Sequence, residues 1–564
     1  MNANANTELD CDVLIIGAGP VGLTLALAAQ RSGIRTRIVE QATGFSGQSK
    51  AITVQPRILE QWHLLDVAKP LIEAGLCSSV MHMHDGRTKL ATLRYDLLPT
   101  AFPYYLHLHQ GQTERLLDAV LNERGSSVER GVRFVRYDVR KYATSAGGDL
   151  HEYVEAHLID REGESLTVRC RYLVGCDGGH SQVRAGLNVA FSGDKHADNW
   201  IMADVRIANF DLAPDERHGF MLKTYPFVIL PMQHGYYRVI AARTADSPHR
   251  GQNPDLEEFA EIARKLGFDH WRFEDPLWLT NYSPSQFIAS EFRCGPVFIA
   301  GDAAHVNTPI AAQGLNTGVM DAVNLAWKLA WVLRHGASEQ LLDSYHAERH
   351  PIVMGMFRAN NRLTSMVFGR NRLVRTIIRK QLHMLRLPRL NLRNTGGSSQ
   401  ISVAYLDSPI TLRLDGAMGW FWKRFADRGA VLGGERVPCP ALPVPSLGAS
   451  HLYDLLESKR HTLLVFEHAD PTVSAWTSRL ASEHAEWLQV LCFSSDNSAK
   501  GPGYYLDPEK KIAAAFGARN GCAVLVRPDA FIAGRFTHVT ETKIDSYRRL
   551  LLGQKKVVAE RCKH

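Results

Sequence analysis

The sequence predicts an α/β fold in three parts: a parallel sheet wrapped by helices, a second sheet inserted into it, and a smaller α/β unit at the C-terminal end. Three observations carry that reading. A short apolar run, Val13 to Ile16, leads into a glycine-rich turn and then an apolar helix, Leu23 to Gln30. Between about 187 and 290 strand-like runs dominate. Past about 430 the order becomes β-α-β and then α-β-β-α. At 564 residues, 45% hydrophobic and 22% charged, the chain has length and core for two or three domains.

The first element organises the rest. Gly17, Gly19 and Gly22, with Pro20 and Val21 between them, give the G-x-G-x-x-G spacing. The first glycine makes a tight turn, the second lets the backbone approach a pyrophosphate, and the third lets helix and strand pack closely. The helix N-terminus offers its free N–H groups to phosphate. A second strand, Thr36 to Val39, ends at Glu40, followed by Gln41. An acid about 20 residues past the glycines is placed to bond a ribose hydroxyl. Strand, turn, helix, strand and terminal acid together describe a Rossmann-like dinucleotide site. A glycine-rich turn that only packs well is the plainer alternative.

The next stretch carries Ser49-Lys50-Ala51, and Pro56 opens a helix to about Val67. Val80 to His109 reads as strands, with Met81-His82-Met83-His84 alternating and Tyr104 to His109 as a further strand. Gln110 then opens a helix. The pairs His82/His84 and His107/His109 each share a strand face, which is a conceivable metal geometry. Ordinary strand histidines near a cavity are the plainer reading, and no metal is expected.

Val132 to Val139 and Tyr153 to Ile159 are strands. Arg171 to Gly175 is another, running into Cys176-Asp177-Gly178-Gly179-His180-Ser181-Gln182-Val183-Arg184. In the inserted region the strands are Trp200 to Ile207, Phe220 to Thr224, Phe227 to Pro231 and Tyr236 to Ala242, with one helix, Asp255 to Leu266. Pro296 to Ala300 returns to the first pattern, a buried strand ending in Gly301-Asp302-Ala303-Ala304-His305. Gly318 to Leu333 follows as a long apolar helix. Residues 341–393 are helical and rich in arginine, from Arg370 to Arg393. A solvated face or subunit contact is favoured there over a membrane surface. Asn394 to Gln400 reads as a loop or linker.

In the last unit Leu463 to Phe466, Leu488 to Phe493, Cys522 to Arg527 and Phe531 to Arg535 are strands. Thr472 to His484, Pro508 to Phe516 and Glu541 to Leu552 are helices. That order resembles a thioredoxin-like domain in fold only. There is no C-x-x-C, so redox chemistry in this unit has no support.

Composition narrows the classes. A net charge of +7 and a pI near 8.8 are mild, and no aromatic-studded basic stripe points to nucleic acid. Residues 1–12 contain no Lys or Arg and carry Glu8, Asp10 and Asp12, which argues against a signal peptide. No stretch is long enough to span a bilayer, so no stable membrane insertion is expected. Nine scattered cysteines without C-x-x-C argue against zinc and a redox pair, and suit reduced thiols in the cytoplasm.

Three motifs stand in order: Gly17 to Gly22, Asp177 to Arg184, and Gly301 to His305. The set resembles the single-component FAD-dependent aromatic hydroxylases, the group A flavin monooxygenases, in their phenol and polyketide hydroxylase branch. The resemblance covers residues 10–360 strongly and the tail weakly. It implies FAD as cofactor, NADPH or NADH as reductant, O2 as co-substrate and a small phenolic substrate attacked by a flavin C4a-hydroperoxide. It also implies roles. Glu40 holds the adenosine ribose, Lys50 lies near the pyrophosphate and Gln110 contacts the ribityl or phosphate region. Asp177 serves both FAD and NAD(P)H, Gly301 and Asp302 serve the ribityl chain, and Pro309 places its carbonyl by substrate and flavin. Gly314, Leu315 and Asn316 offer backbone N–H groups to the flavin's N1–C2=O edge, as an oxyanion hole does. The loop departs from the family pattern at Ala311-Ala312, where relatives commonly have a glycine.

A phenol reacts faster as phenolate, so a base or relay helps. His82, His84, His107, Tyr225 and His234 are candidates by location alone. The expected domains are 1–186 for FAD, with a substrate-sheet excursion at about 78–109, then 187–290 as the substrate sheet. Residues 291–400 return to the FAD domain with a helical segment, and 401–564 form the thioredoxin-like domain, a possible homodimer contact. Two rivals remain: the same fold acting on a non-phenolic antibiotic or alkene, and a flavin-binding partner protein without turnover.

Overall fold

A computed structural model describes residues 8–45, 47, 51–143, 150–195, 199–221, 226–243, 249, 251–283, 285–307, 313–367, 372–412, 430–446, 449–466, 471–495, 503–518, 522–536 and 539–554. Lys50, Tyr225 and Pro309 lie outside them.

The central sheet is parallel where the motifs sit. Its strands run in the spatial order Val297–Ile299, Ser165–Gly175, Cys11–Ile16, Thr36–Glu40 and Val128–Arg130. Val13, Leu14 and Ile15 are fully buried, as a strand covered on both faces requires. Helices Pro20–Arg31 and Gly314–His335 pack on each other over this sheet. Two antiparallel strands, Arg133–Ala143 and Leu150–Ile159, extend it through Ser165–Gly175.

The inserted sheet has the order Arg272–Tyr282, Asn199–Ala208, Tyr236–Arg243, Pro226–Pro231, Arg217–Met221, Val80–Asp85 and Thr88–Arg94. Residues 78–109 therefore divide. The strands up to Arg94 join this sheet, whereas Tyr105–His107 pairs with Thr53–Val54 and Leu76–Ser78 in a small separate sheet. Helix Leu256–Lys265 covers one face, with Phe259, Ile262 and Ala263 against Ile201, Ala203 and Val205.

The expected pattern needs several corrections. The long helix begins at Gly314, not Gly318. A Cβ on Gly318 would meet Val21 Cγ2 at 2.6 Å and Gly301 Cα at 2.9 Å, so this glycine is a packing residue inside the helix. Asn394 to Gln400 is no linker, because helix Pro388–Ser398 runs through it. Thr395 is buried and bonds its own helix, and a Cβ on Gly396 would meet Ser402 Oγ at 2.7 Å. Strands Phe191–Lys195 and Arg272–Tyr282 carry too much polar sequence to be read in advance, and Ser285–Ala289 is only five residues long.

The C-terminal unit is a mixed sheet in the order Tyr504–Leu506, Leu488–Ser494, His461–Phe466, Ala523–Val526 and Ile532–Phe536. His461–Phe466 is parallel to Leu488–Ser494 and antiparallel to Ala523–Val526. Two buried ion clusters dock it. Glu60 accepts from Arg57 (2.8 Å) and Arg436 (2.9 Å). Glu348 accepts from Lys328 (2.8 Å) and from Arg527 (2.6 Å), which also bonds Asp529. Among the described residues no helix is long and apolar enough to cross a membrane.

Candidate active site

The glycine turn has the shape a dinucleotide needs. Gly17 sits at φ +99°, and a Cβ there would lie 2.4 Å from the Cys176 carbonyl oxygen. A Cβ on Gly22 would lie 2.0 Å from the Gly17 oxygen, so strand and helix touch through backbone. Gly19 differs: an added Cβ meets nothing within 4 Å. The space in front of the helix N-terminus is open there. Pro20 takes the first helical position, where its missing N–H costs nothing. Glu40 ends its strand and accepts the N–H groups of Ala18 and Ala42, both at 2.9 Å, which fixes the carboxylate while leaving lone pairs for a hydroxyl. Gln41 is exposed beside it. These residues fit the adenosine and pyrophosphate of FAD.

The second and third motifs are tied together. Asp177 accepts from Ser181 Oγ (2.5 Å), Gln182 N (2.7 Å) and Val183 N (3.2 Å), closing the turn before helix Gln182–Leu187. Burial pushes its carboxyl pKa up, and these hydrogen bonds oppose the rise. Arg184 then donates to Gly179 O (2.7 Å) and Ala303 O (2.9 Å), bridging to the Gly301 turn. Gly301 has φ +61° and donates its N–H to Asp321 Oδ2 at 3.0 Å. Asp302 is exposed, and its Oδ1 lies 3.9 Å from where a Cβ of Gly314 would stand. It therefore faces the first turn of the long helix.

That first turn is anchored by side chains. Thr317 N bonds Gln313 O (2.8 Å), the first bond of the ladder, and the N–H groups before it have no intrahelical acceptor. The helix dipole makes this end favourable for negative charge. The Asn316 side chain is fully buried. Its Oδ1 accepts Gln55 N (2.8 Å) and its Nδ2 donates to Thr53 O (2.8 Å). One turn later Asp321, also fully buried, accepts from Arg349 Nε (2.7 Å) and lies 2.7 Å from His305 Nε2. Arg349 reaches on to Thr317 O (3.1 Å) and the Tyr405 hydroxyl (3.0 Å). Sequence reasoning missed Thr53, Asp321 and Arg349. The available signal was Asp321 itself, an acid on the inner face of an apolar helix.

The other wall is the sheet face opposite helix Leu256–Lys265. Since Ile201, Ala203 and Val205 face that helix, the alternating Met202 and Asp204 face inward. Asp204 takes a bidentate pair from Arg238, with both bonds at 2.7 Å. Arg217 is buried beside Tyr95 and Tyr105, and His107 lies fully inside, 3.3 Å from Thr53 Oγ1 through Nδ1.

The other candidates scatter. His82 and His84 lie on the face toward Phe268 and Trp271. His84 stacks on Phe220 at 4.8 Å and sits 3.2 Å from His218, while His82 bonds Glu216 and Thr92. Burial, then the neighbouring His218 and His82, pushes the His84 pKa down to about 4. His109 caps the helix that begins at Gln110, whose amide bonds Glu114 at 2.9 Å. His234 is exposed on the turn between Pro226–Pro231 and Tyr236–Arg243, at φ +59°, away from the enclosed wall. A tight hairpin needs a left-handed residue at that place, which explains its position structurally. Among the described residues no three His, Cys, Asp or Glu come together as a metal set.

A family model described as an FAD binding domain matches residues 10–360. The chain is 32% identical over 540 residues to the 6-methylpretetramide 4-monooxygenase of Streptomyces rimosus, covering 93% of this chain and 90% of that protein. It is 27% identical to the pentachlorophenol 4-monooxygenase of Sphingobium chlorophenolicum, covering 93% and 94%. The solved anhydrotetracycline hydroxylase OxyS from Streptomyces rimosus superposes with a TM-score of 0.73 at 26% identity, over 96% of this chain and 99% of that one.

Proposed function

The chain belongs to the FAD binding domain family, and from that premise we propose that it is an FAD- and NAD(P)H-dependent monooxygenase that hydroxylates a phenolic aromatic compound. Bound flavin supplies electron transfer from NAD(P)H and the activation of O2. The chain's own residues bind, orient and exclude water. In this reading Gly17, Gly19, Gly22 and Glu40 take the adenosine diphosphate half, with Lys50 near the pyrophosphate. Asp302 takes the ribityl chain, and Gln110 stands alongside. The backbone of Gly314, Leu315 and Asn316 faces the ring edge where negative charge develops on reduction. Asp177 acts on this site as a positioning residue, through the turn it closes. Pro309 keeps its proposed place beside substrate and ring.

One observation supports this best. Asn316 joins the helix turn at Gly314 to Thr53, and Thr53 bonds the interior His107. The proposed flavin edge and the enclosed wall are therefore two hydrogen bonds apart. Two relatives are named for 6-methylpretetramide and pentachlorophenol, and we propose a phenolic aromatic substrate, not either of these compounds, for this chain. We also place the enzyme in the cytoplasm, since the eight described cysteines are all free. Homodimerisation through the C-terminal unit is part of the same proposal and is read by light scattering.

The test is NAD(P)H oxidation by the purified yellow protein with and without a panel of phenols and phenolic polyketides. Acceleration by a phenol supports the reading. Acceleration by non-phenolic compounds alone moves the substrate to the rival class.

A further inference from the structure

Arg217 carries a buried charge that no described residue neutralises. It is 4% exposed, and its Nε and NH2 are buried without a hydrogen-bond acceptor. The guanidinium lies against two rings, 4.4 Å from the centre of Tyr95 and 4.1 Å from that of Tyr105. Their hydroxyls point elsewhere: Tyr105 donates to Ser398 O (2.8 Å), and Tyr95 lies 3.1 Å from Ser398 Oγ. The rings cushion the cation and give it no acceptor. Its neighbours on the same sheet are treated differently, because Arg238 is paired with Asp204 and Arg243 with Glu258.

His107 shares the strand face of Tyr105 and is 2% exposed, with Nε2 buried and unbonded. Burial, followed by the charges of Arg217 and Arg238, holds its pKa well below the usual range, so the ring is neutral and both cations act on it. Through Nδ1 it reaches Thr53, and through Thr53 the Asn316 turn. A buried cation without a partner is unfavourable until an anion joins it.

We propose that Arg217, with His107 Nε2 beside it, forms the subsite that receives an ionised oxygen of the aromatic substrate. The enzyme therefore selects aromatics that carry an acidic phenol, an enol conjugated to a carbonyl, or a carboxylate. This rests on the aromatic-hydroxylase reading above and adds the charge of the substrate to it.

The test titrates oxidised holoenzyme with alizarin, a hydroxyanthraquinone whose visible band reports ionisation, just below the pH at which the free dye ionises. The bound dye is expected to show its anion band. Arg217→Gln is expected to weaken binding about tenfold or more and to return the bound dye to its neutral band, as loss of a charged hydrogen bond implies. Arg217→Lys keeps the charge without the fork, so it retains the anion band at intermediate affinity. Anthraquinone-2-carboxylate competing with the dye, where the matching carboxamide does not, assigns the site to carboxylates as well as phenolates. Flavin content and circular dichroism separate loss of the subsite from loss of the fold. Wild-type protein that binds neither anion, or binds the neutral carboxamide as tightly, overturns the proposal. So does wild-type affinity for the anion in Arg217→Gln. The dye assay needs no turnover, so its failure is distinct from failure of the oxygenation reading.

Discussion

The side-chain amide of Asn316 donates to the carbonyl of Thr53 at 2.8 Å, across 263 positions of sequence. The same amide accepts the N–H of Gln55. One asparagine thus fixes the start of the long helix against a short strand of a different sheet. Asn316→Ala leaves two buried backbone groups unbonded, at about 1–3 kcal/mol each. The expected result is a lower thermal midpoint for the flavin-free protein and reduced flavin content. Unchanged values for both would remove the anchoring role.

Asp321 makes a pH prediction. Burial works against its ionisation, but His305 and Arg349 outweigh burial and hold its carboxyl below the ordinary range. A carboxyl lowered in the folded state contributes stability that is complete above the unfolded value, about 3.9, and is lost as pH falls through the folded value. Asp321→Asn leaves the Arg349 charge buried without its anion, at a cost of about 3–5 kcal/mol near neutrality. Denaturant titrations in acid should show that gap shrinking as pH falls below about 4. A gap that widens in acid contradicts the assignment.

Gly19 and Gly22 separate binding from folding. A methyl on Gly22 strikes the Gly17 oxygen, so Gly22→Ala should destabilise the protein even without flavin. A methyl on Gly19 meets no protein atom, so Gly19→Ala should fold with wild-type stability and retain less FAD. Equal FAD affinity in Gly19→Ala and wild type, by fluorescence titration, would show that the pyrophosphate lies elsewhere.

Asp302 is exposed and faces the Gly314 turn. Asp302→Ala should cost little stability and weaken FAD retention by about one charged hydrogen bond, roughly tenfold or more. Full occupancy with unchanged turnover refutes the ribityl role.

What the sequence disclosed follows from range. The glycine turn, Glu40 and the Gly301-Asp302 turn are local patterns, in which a few neighbouring residues dictate strand, turn and helix. The inserted sheet was legible where strands alternate, as at Tyr236–Arg243, and illegible at Arg272–Tyr282, whose exposed residues break the pattern. The linker reading of Asn394 to Gln400 failed because composition says nothing of Ser402 packed against Gly396. The buried face around His107, next to the proposed flavin edge, was hidden for the same reason. His107 was only one histidine of five candidate groups until Thr53 and Arg217 were seen around it. No local spacing brings Arg217 to Tyr95 and Tyr105, or Asp321 to Arg349.

The most direct measurement is the product mass after turnover with NAD(P)H under 18O2, using the phenol that most accelerates NAD(P)H oxidation. The account predicts a product heavier than its substrate by one atom of the labelled oxygen, with the label absent when 18O is supplied as water. Label arriving from water, or peroxide as the sole oxygen product with every phenol tested, would contradict the monooxygenase assignment.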